Sequence, residues 1–152
     1  QKEISQPKFY LFDPGVARGC SGTLAEAQDP SWQGFSFETL IVNEVRAYNQ
    51  YLRRHCQLFY YRFSGGYEID LIIENKKKTL SSPRQVIAIE IKSAKRWDRR
   101  WSEPLVDFKQ KSKNQVTQTI GVYMGKEQLN SNGVTVYPAE LFLKKLSEGD
   151  FF

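Results

Sequence analysis

Cysteine is scarce in this chain. Cys20 and Cys56 are the only two in 152 residues, 36 positions apart, and neither belongs to a CxxC or CxxH pair. That argues against a disulfide scaffold and against a structural zinc site, and makes a reducing cytoplasm the expected compartment. Long apolar runs are missing too. None approaches the ~18 residues of a membrane span, and the opening residues QKEISQPKFY lack the apolar stretch of a signal peptide. There is no internal repeat, no low-complexity tract and no domain linker. No Gly-x-x-x-x-Gly-Lys-Ser/Thr phosphate loop is present: Gly121 to Glu127 (GVYMGKE) has the wrong glycine spacing and no hydroxyl after Lys126. Charge of one sign is only slightly in excess, with 22 Lys+Arg against 17 Asp+Glu and a net charge of +5. Over this length that is a weak pointer to a polyanionic partner.

The length suits one domain with a sizeable core. A composition 40% hydrophobic and 14% aromatic is that of a globular chain. Residues 1–35 are punctuated by Pro7, Asp13-Pro14-Gly15, Gly19, Gly22, Asp29-Pro30 and Gly34. They read as an irregular lead-in, with Phe9 to Phe12 as a candidate strand and Thr23 to Gln28 as a candidate short helix. The core is expected over 36–152. Ser36 to Arg54 carries apolar residues at helical spacing (Phe37, Ile41, Val45, Tyr48, Leu52) behind a candidate N-cap, Ser36. Gln57 to Phe63 and Tyr67 to Glu74 flank Ser64-Gly65-Gly66 as a β-hairpin. Gln85 to Lys92 (QVIAIEIK) is apolar on both faces until its end, as a central strand is. A helix from Pro104 to about Lys113, strands over 118–124 and 133–137, and a helix over 138–146 complete an α/β domain with a mixed sheet.

Three carboxylates and a lysine stand out. Residues two apart in a strand share a face, so Val86, Ala88, Glu90 and Lys92 lie together near the end of an otherwise apolar strand. Asp70 lies mid-strand between Ile69 and Leu71, on the expected face of Glu68, Ile72 and Glu74. Glu38 projects beside Ile41, Val42 and Val45, inside the stripe that faces the sheet. Each has a plain alternative. Glu38 in a first turn would answer the helix dipole, Asp70 would be a hydrogen-bonded acid on an open face, and Glu90 with Lys92 would be a solvated ion pair. As a set they repel one another and resist burial unless a cation gathers them. Their hard oxygens suit magnesium or manganese.

In this order, Glu38 on the first helix, Asp70 on a hairpin strand and Glu90-Ile91-Lys92 closing the next strand resemble the PD-(D/E)xK superfamily. This is the restriction-endonuclease-like fold, with an αβββαβ core and a central mixed sheet flanked by helices, and it includes archaeal Holliday-junction resolvases. Residues 34–124 carry the match; Ile69 stands where proline is usual before the aspartate. A narrower resemblance spans nearly the whole chain. KFYLFDPGVAR, GFSFETLIVNEV, FYYRFSGGYEIDLIIE and VIAIEIKSAK look like the uncharacterised domain that follows the ATPase core in many bacterial and archaeal AAA-type ATPases. Arg62, Glu68, Asp70, Glu90, Lys92 and Ser93 fall in the matching places.

The resemblance implies a divalent-metal-dependent nuclease domain, attached to an ATPase in the same parent chain and acting on DNA. Asp70, Glu90, the Ile91 carbonyl and Glu38 would hold Mg²⁺ or Mn²⁺, and Lys92 would act on the attacking water. A catalytically inactive module that binds DNA or a protein partner and regulates the ATPase is the other reading. Residues 92–101 (KSAKRWDRRW) add a basic, aromatic segment. Arg62, Lys95, Arg96, Arg99 and Arg100 are candidate phosphate contacts, and Trp97 and Trp101 candidate stacking surfaces. The alternative is a solvated loop whose tryptophans are packed.

Overall fold

The computed structural model describes residues 8–63, 66–112 and 115–152. Helix α1 (Pro14–Ser21) begins on Asp13, whose side chain accepts from the Val16 N–H, with Pro14 in the first turn. It ends on Gly22, whose left-handed backbone (φ 73°) closes the helix. Helix α2 (Pro30–Tyr51) is built the same way: Asp29 accepts from the Trp32 N–H at 2.9 Å and Pro30 stands at its start. Three expectations are corrected here. Among the described residues the first helix lies over Pro14–Ser21, with none over 23–28, and α2 starts six residues before Ser36. Gly34 is inside the helix, and Ser36 is not its cap. Phe9 to Phe12 forms no strand.

Six strands follow: β1 (Gln57–Arg62), β2 (Glu68–Lys76), β3 (Gln85–Lys92), β4 (Val116–Tyr123), β5 (Leu129–Ser131) and β6 (Val134–Pro138). A single 3₁₀ turn (Arg99–Ser102) leads into α3 (Glu103–Lys111), and α4 (Ala139–Glu148) closes the chain. The sheet runs β1-β2-β3-β4-β6-β5. β1, β2 and β3 are antiparallel neighbours; β3, β4 and β6 are parallel; β5 returns antiparallel to β6. The mixed α/β class expected from the sequence is therefore observed, with β3 in the interior of the sheet. Sequence reading missed β5, which is three residues long. The expected turn at Ser64-Gly65 and the end of the third helix at Lys113 lie outside the described residues.

The sheet is covered on both faces, so β2 and β3 have almost no exposed positions. On one face Leu71, Ile73, Ile87, Ile89, Ile91, Ile120 and Val122 meet Ile41, Val42 and Val45 of α2 and Phe142 and Leu146 of α4. On the other, Ile69, Ile72, Val86, Ala88 and Val116 meet Leu105 of α3. Phe151 stacks on Phe142, with ring centroids 5.1 Å apart. Among the described residues no helix is long and apolar enough to cross a membrane.

One irregularity decides where the acids go. Phe59 pairs with Ile72 but Tyr61 pairs with Ile69. Two residues of β2, Asp70 and Leu71, therefore stand opposite the single residue Tyr60, which is a β-bulge. The alternation resets across it: Ile69 and Ile72 pack on the α3 face, Leu71 and Ile73 on the α2 face. Asp70 does not share a face with Ile72 and Glu74 as a regular strand would have it. It meets groups on the α2 side.

Candidate functional site

Glu38 lies in the third turn of α2, well beyond the reach of the first-turn dipole. Gly34, one turn earlier, sits over the end of β3; a Cβ there would lie 3.6 Å from Ser93 Oγ. The helix thus delivers Glu38 to the edge where β3 ends and β2 bulges. Asp70 Oδ2 accepts from the Ile91 N–H at 2.8 Å, which fixes the carboxylate across the two strands. Lys92 Nζ lies 2.5 Å from Glu90 Oε1 and 3.8 Å from Asp70 Oδ2. Glu90 is 4% exposed, and its Oε2 is buried without a hydrogen-bond partner. Glu38, Asp70, Glu90 and Lys92 are brought together from α2, β2 and β3. Ile91 joins them through its N–H.

Two residues that sequence reading passed over complete the cluster. Lys8 Nζ lies 3.0 Å from Glu38 Oε1, 3.3 Å from Asp70 Oδ1 and 3.6 Å from Glu68 Oε2. Tyr10 Oη donates to Glu38 Oε1 at 2.5 Å. The signal was present in Lys8-Phe9-Tyr10: in an extended segment residues 8 and 10 share a side. Lys8 and Tyr10 turn inward while Phe9 is 78% exposed. Reading the aromatic run as a candidate strand of an irregular lead-in hid it.

The ionisation of the group follows from burial and crowding. Burial first, then the Asp70 charge, pushes the Glu90 carboxyl up to about 7, against the pull of Lys92. Burial likewise raises Asp70, with Lys92 opposing it and Glu38 adding to it. Burial would lower Lys92, but Asp70 and Glu90 outweigh it and the amine is held above its usual range. The same holds for Lys8, where burial is outweighed by Asp70 and Glu38. Tyr10 is raised by burial and by its bond to Glu38. Both lysines are thus held as ammonium groups.

The remaining candidates lie around this centre. Arg62 pairs with Glu68 at the hairpin. Glu74 is at the far end of β2, with Arg84 Nε 3.4 Å away, and belongs to no part of the cluster. Lys95 and Arg96 are exposed. Arg99 and Arg100 lie in the 3₁₀ turn, and Arg100 is paired with Asp98 at 2.6 Å. Trp97 is half-buried against Gly121, edge-on to Trp101 and Tyr123, and its Nε1 donates to Ser102 Oγ at 3.0 Å. Its indole is engaged by packing, and Trp101, packed edge-on against it, is likewise half-buried. Cys20 is exposed and Cys56 is half-buried.

Fold and cluster together define a mixed α/β domain with acids and lysines gathered where α2 crosses the ends of β2 and β3. Residues 33–142, more than two thirds of the chain, match the family described as domain of unknown function DUF4143, and the chain belongs to that family. No curated protein and no solved structure matches the chain.

Proposed function

We propose that this chain is a divalent-metal-dependent nuclease domain of restriction-endonuclease-like architecture, hydrolysing DNA phosphodiesters and attached to an AAA-type ATPase. The observation that carries this reading is the meeting of Glu38, Asp70, Glu90 and Lys92 from three separate elements. The order α2, β1, β2, β3, α3, β4 is also the αβββαβ order expected of that fold.

The residues fit a hard cation in their chemistry. They offer carboxylate oxygens, one of them (Glu90 Oε2) buried and unpartnered. Among the described residues no three His, Cys, Asp or Glu side chains are grouped closely enough to hold a metal as they stand. An ammonium group separates them instead. Asp70, Glu90 and Glu38 are the groups that would hold Mg²⁺ or Mn²⁺. A bound ion supplies Lewis-acid polarisation of a phosphoryl oxygen and a lower pKa for the attacking water. Lys92, charged and next to both buried acids, orients that water and stabilises charge building on the phosphate. The Ile91 N–H holds Asp70 in place. Lys95, Arg96 and Arg99 extend from the end of β3 as contacts for the phosphate backbone.

DNA cleavage in Mg²⁺ or Mn²⁺ tests the reading. Glu90→Ala and Lys92→Ala should each lower the rate by at least about a hundredfold. Cleavage that survives both substitutions removes the assignment. A second reading, an inactive module that binds DNA or a partner and regulates the ATPase, is favoured by the ammonium of Lys8 lying within the acids. It predicts DNA binding with no calorimetric signal for Mg²⁺ or Mn²⁺.

A further inference from the structure

Lys8 is in an unusual place for a lysine. Its ammonium is within 3.6 Å of three carboxylates from two elements, and it comes from a segment outside residues 33–142 that define the family. The segment is fastened at few points, with Tyr10 packed against the α2 face of the core. Tyr10 bonds Glu38, and Asn43 Nδ2 donates to the Leu11 and Phe12 carbonyls at 2.9 and 3.2 Å. Phe9 and Phe12, which would anchor it if buried, are 78% and 79% exposed. Charge is also incompletely balanced around it. Glu38, Glu68, Asp70 and Glu90 face Lys8, Lys92 and Arg62, which leaves one formal negative charge over. Exchanging the ammonium for a divalent ion would remove that excess.

We infer that the Lys8–Phe12 segment is a built-in cationic stopper: Lys8 and a divalent metal ion compete for the carboxylates of Glu38 and Asp70, and metal entry requires the segment to lift from α2. This rests on the metal-site reading above and adds a regulator to it. The ammonium screens the acids from one another while the site is idle, which is why they tolerate burial together. A partner or DNA strand that draws residues 8–12 away would load the metal. The magnitude follows from population. If the segment is seated 90–99% of the time, the apparent metal affinity is about 10- to 100-fold below that of the open site.

The experiment is a calorimetric Mn²⁺ titration of the wild-type chain, Lys8→Met, Lys8→Arg and Asn43→Ala. Lys8→Met should bind at least about tenfold more tightly than wild type. Lys8→Arg, which keeps the cation, should stay near wild type. Asn43→Ala frees the segment without touching a charged group, so it should also tighten binding and keeps the test alive if Lys8→Met folds poorly. Limited trypsin digestion gives a second readout. Cleavage after Lys8, slow while the side chain is engaged, should accelerate when Mn²⁺ is added to the wild type. Equal Mn²⁺ affinity in wild type, Lys8→Met and Asn43→Ala, or continued protection at Lys8 with metal bound, overturns the stopper and leaves the metal site standing. No Mn²⁺ binding by any of the proteins overturns both. Weaker binding by Lys8→Met would make Lys8 a supporter of the site and also overturns the competition.

Discussion

At the scale of single residues, Glu90 carries a carboxyl group almost closed off from water. Its carboxyl is raised from an ordinary 4.5 to about 7. A group raised on folding favours the folded state while protonated in both states, below about pH 4.5, and that contribution is lost as pH climbs through about 7. Glu90→Gln removes the titration. In metal-free buffer the unfolding free energy of the wild type should fall relative to that of Glu90→Gln between pH 4.5 and 8, by on the order of 3 kcal/mol. Parallel pH profiles for the two proteins would contradict it. Gly121 makes a different point. A Cβ there would lie 2.6 Å from Trp97 Cη2 and 2.9 Å from Cζ2, and the indole cannot slide away because Trp101, Tyr123 and Ser102 hold it. Gly121→Ala should cost about 1–3 kcal/mol in urea denaturation and alter the near-ultraviolet circular dichroism of the tryptophan pair. Unchanged stability would mean that Trp97 is free to move, which would restore it as a stacking surface.

At the scale of elements, the position of Glu38 depends on where α2 begins. Asp29 and Pro30 set that start, and Asp29→Ala should destabilise the domain by about 0.5–2 kcal/mol, measured by urea denaturation. If Ser36→Ala had the larger effect, the first turns of α2 would be dispensable. The same helix shows how far a sequence can be read. Asp-Pro before an apolar periodicity is an N-terminal signal, but Gly34 and the turn-forming residues around it made 1–35 look irregular, and Ser36 offered a second cap. Tertiary contact with the end of β3 tolerates Gly34 where propensity alone disfavours it. β3 was legible to the residue, because a strand buried on both faces is apolar without interruption until its charged end. The bulge at Asp70-Leu71 was not legible. An extra residue in one strand is defined by its partner, and the pattern of β2 alone reads as regular alternation. The identities of Glu38, Asp70, Glu90 and Lys92 came from order along the chain, but the direction of Asp70 came from the register with β1.

At the scale of the whole molecule, the net charge of +5 is concentrated. Residues 92–101 hold five cationic side chains and one acid, so four of the five net charges lie in ten residues. The structure divides even these by role. Lys92 is held by Glu90 and Asp70, and Arg100 by Asp98. Lys95, Arg96 and Arg99 form no ion pair among the described residues and are exposed, the first two before the 3₁₀ turn and Arg99 at its start. A global reading of charge therefore overstates what is available to a polyanion, and the three remaining cations set a number that can be measured. If they are the phosphate contacts, the logarithm of the duplex DNA affinity should fall with the logarithm of salt concentration with a slope of about −2 to −3. Replacing Lys95, Arg96 and Arg99 together by glutamine should bring the slope close to zero and weaken binding alike for all sequences, since phosphate contacts carry no sequence information. The acid cluster is untouched by these changes, so Mn²⁺ affinity should not move. A variant that keeps the wild-type slope would place the DNA-binding surface elsewhere, while loss of metal affinity in the same variant would mean that the segment shapes the site rather than the approach of the nucleic acid.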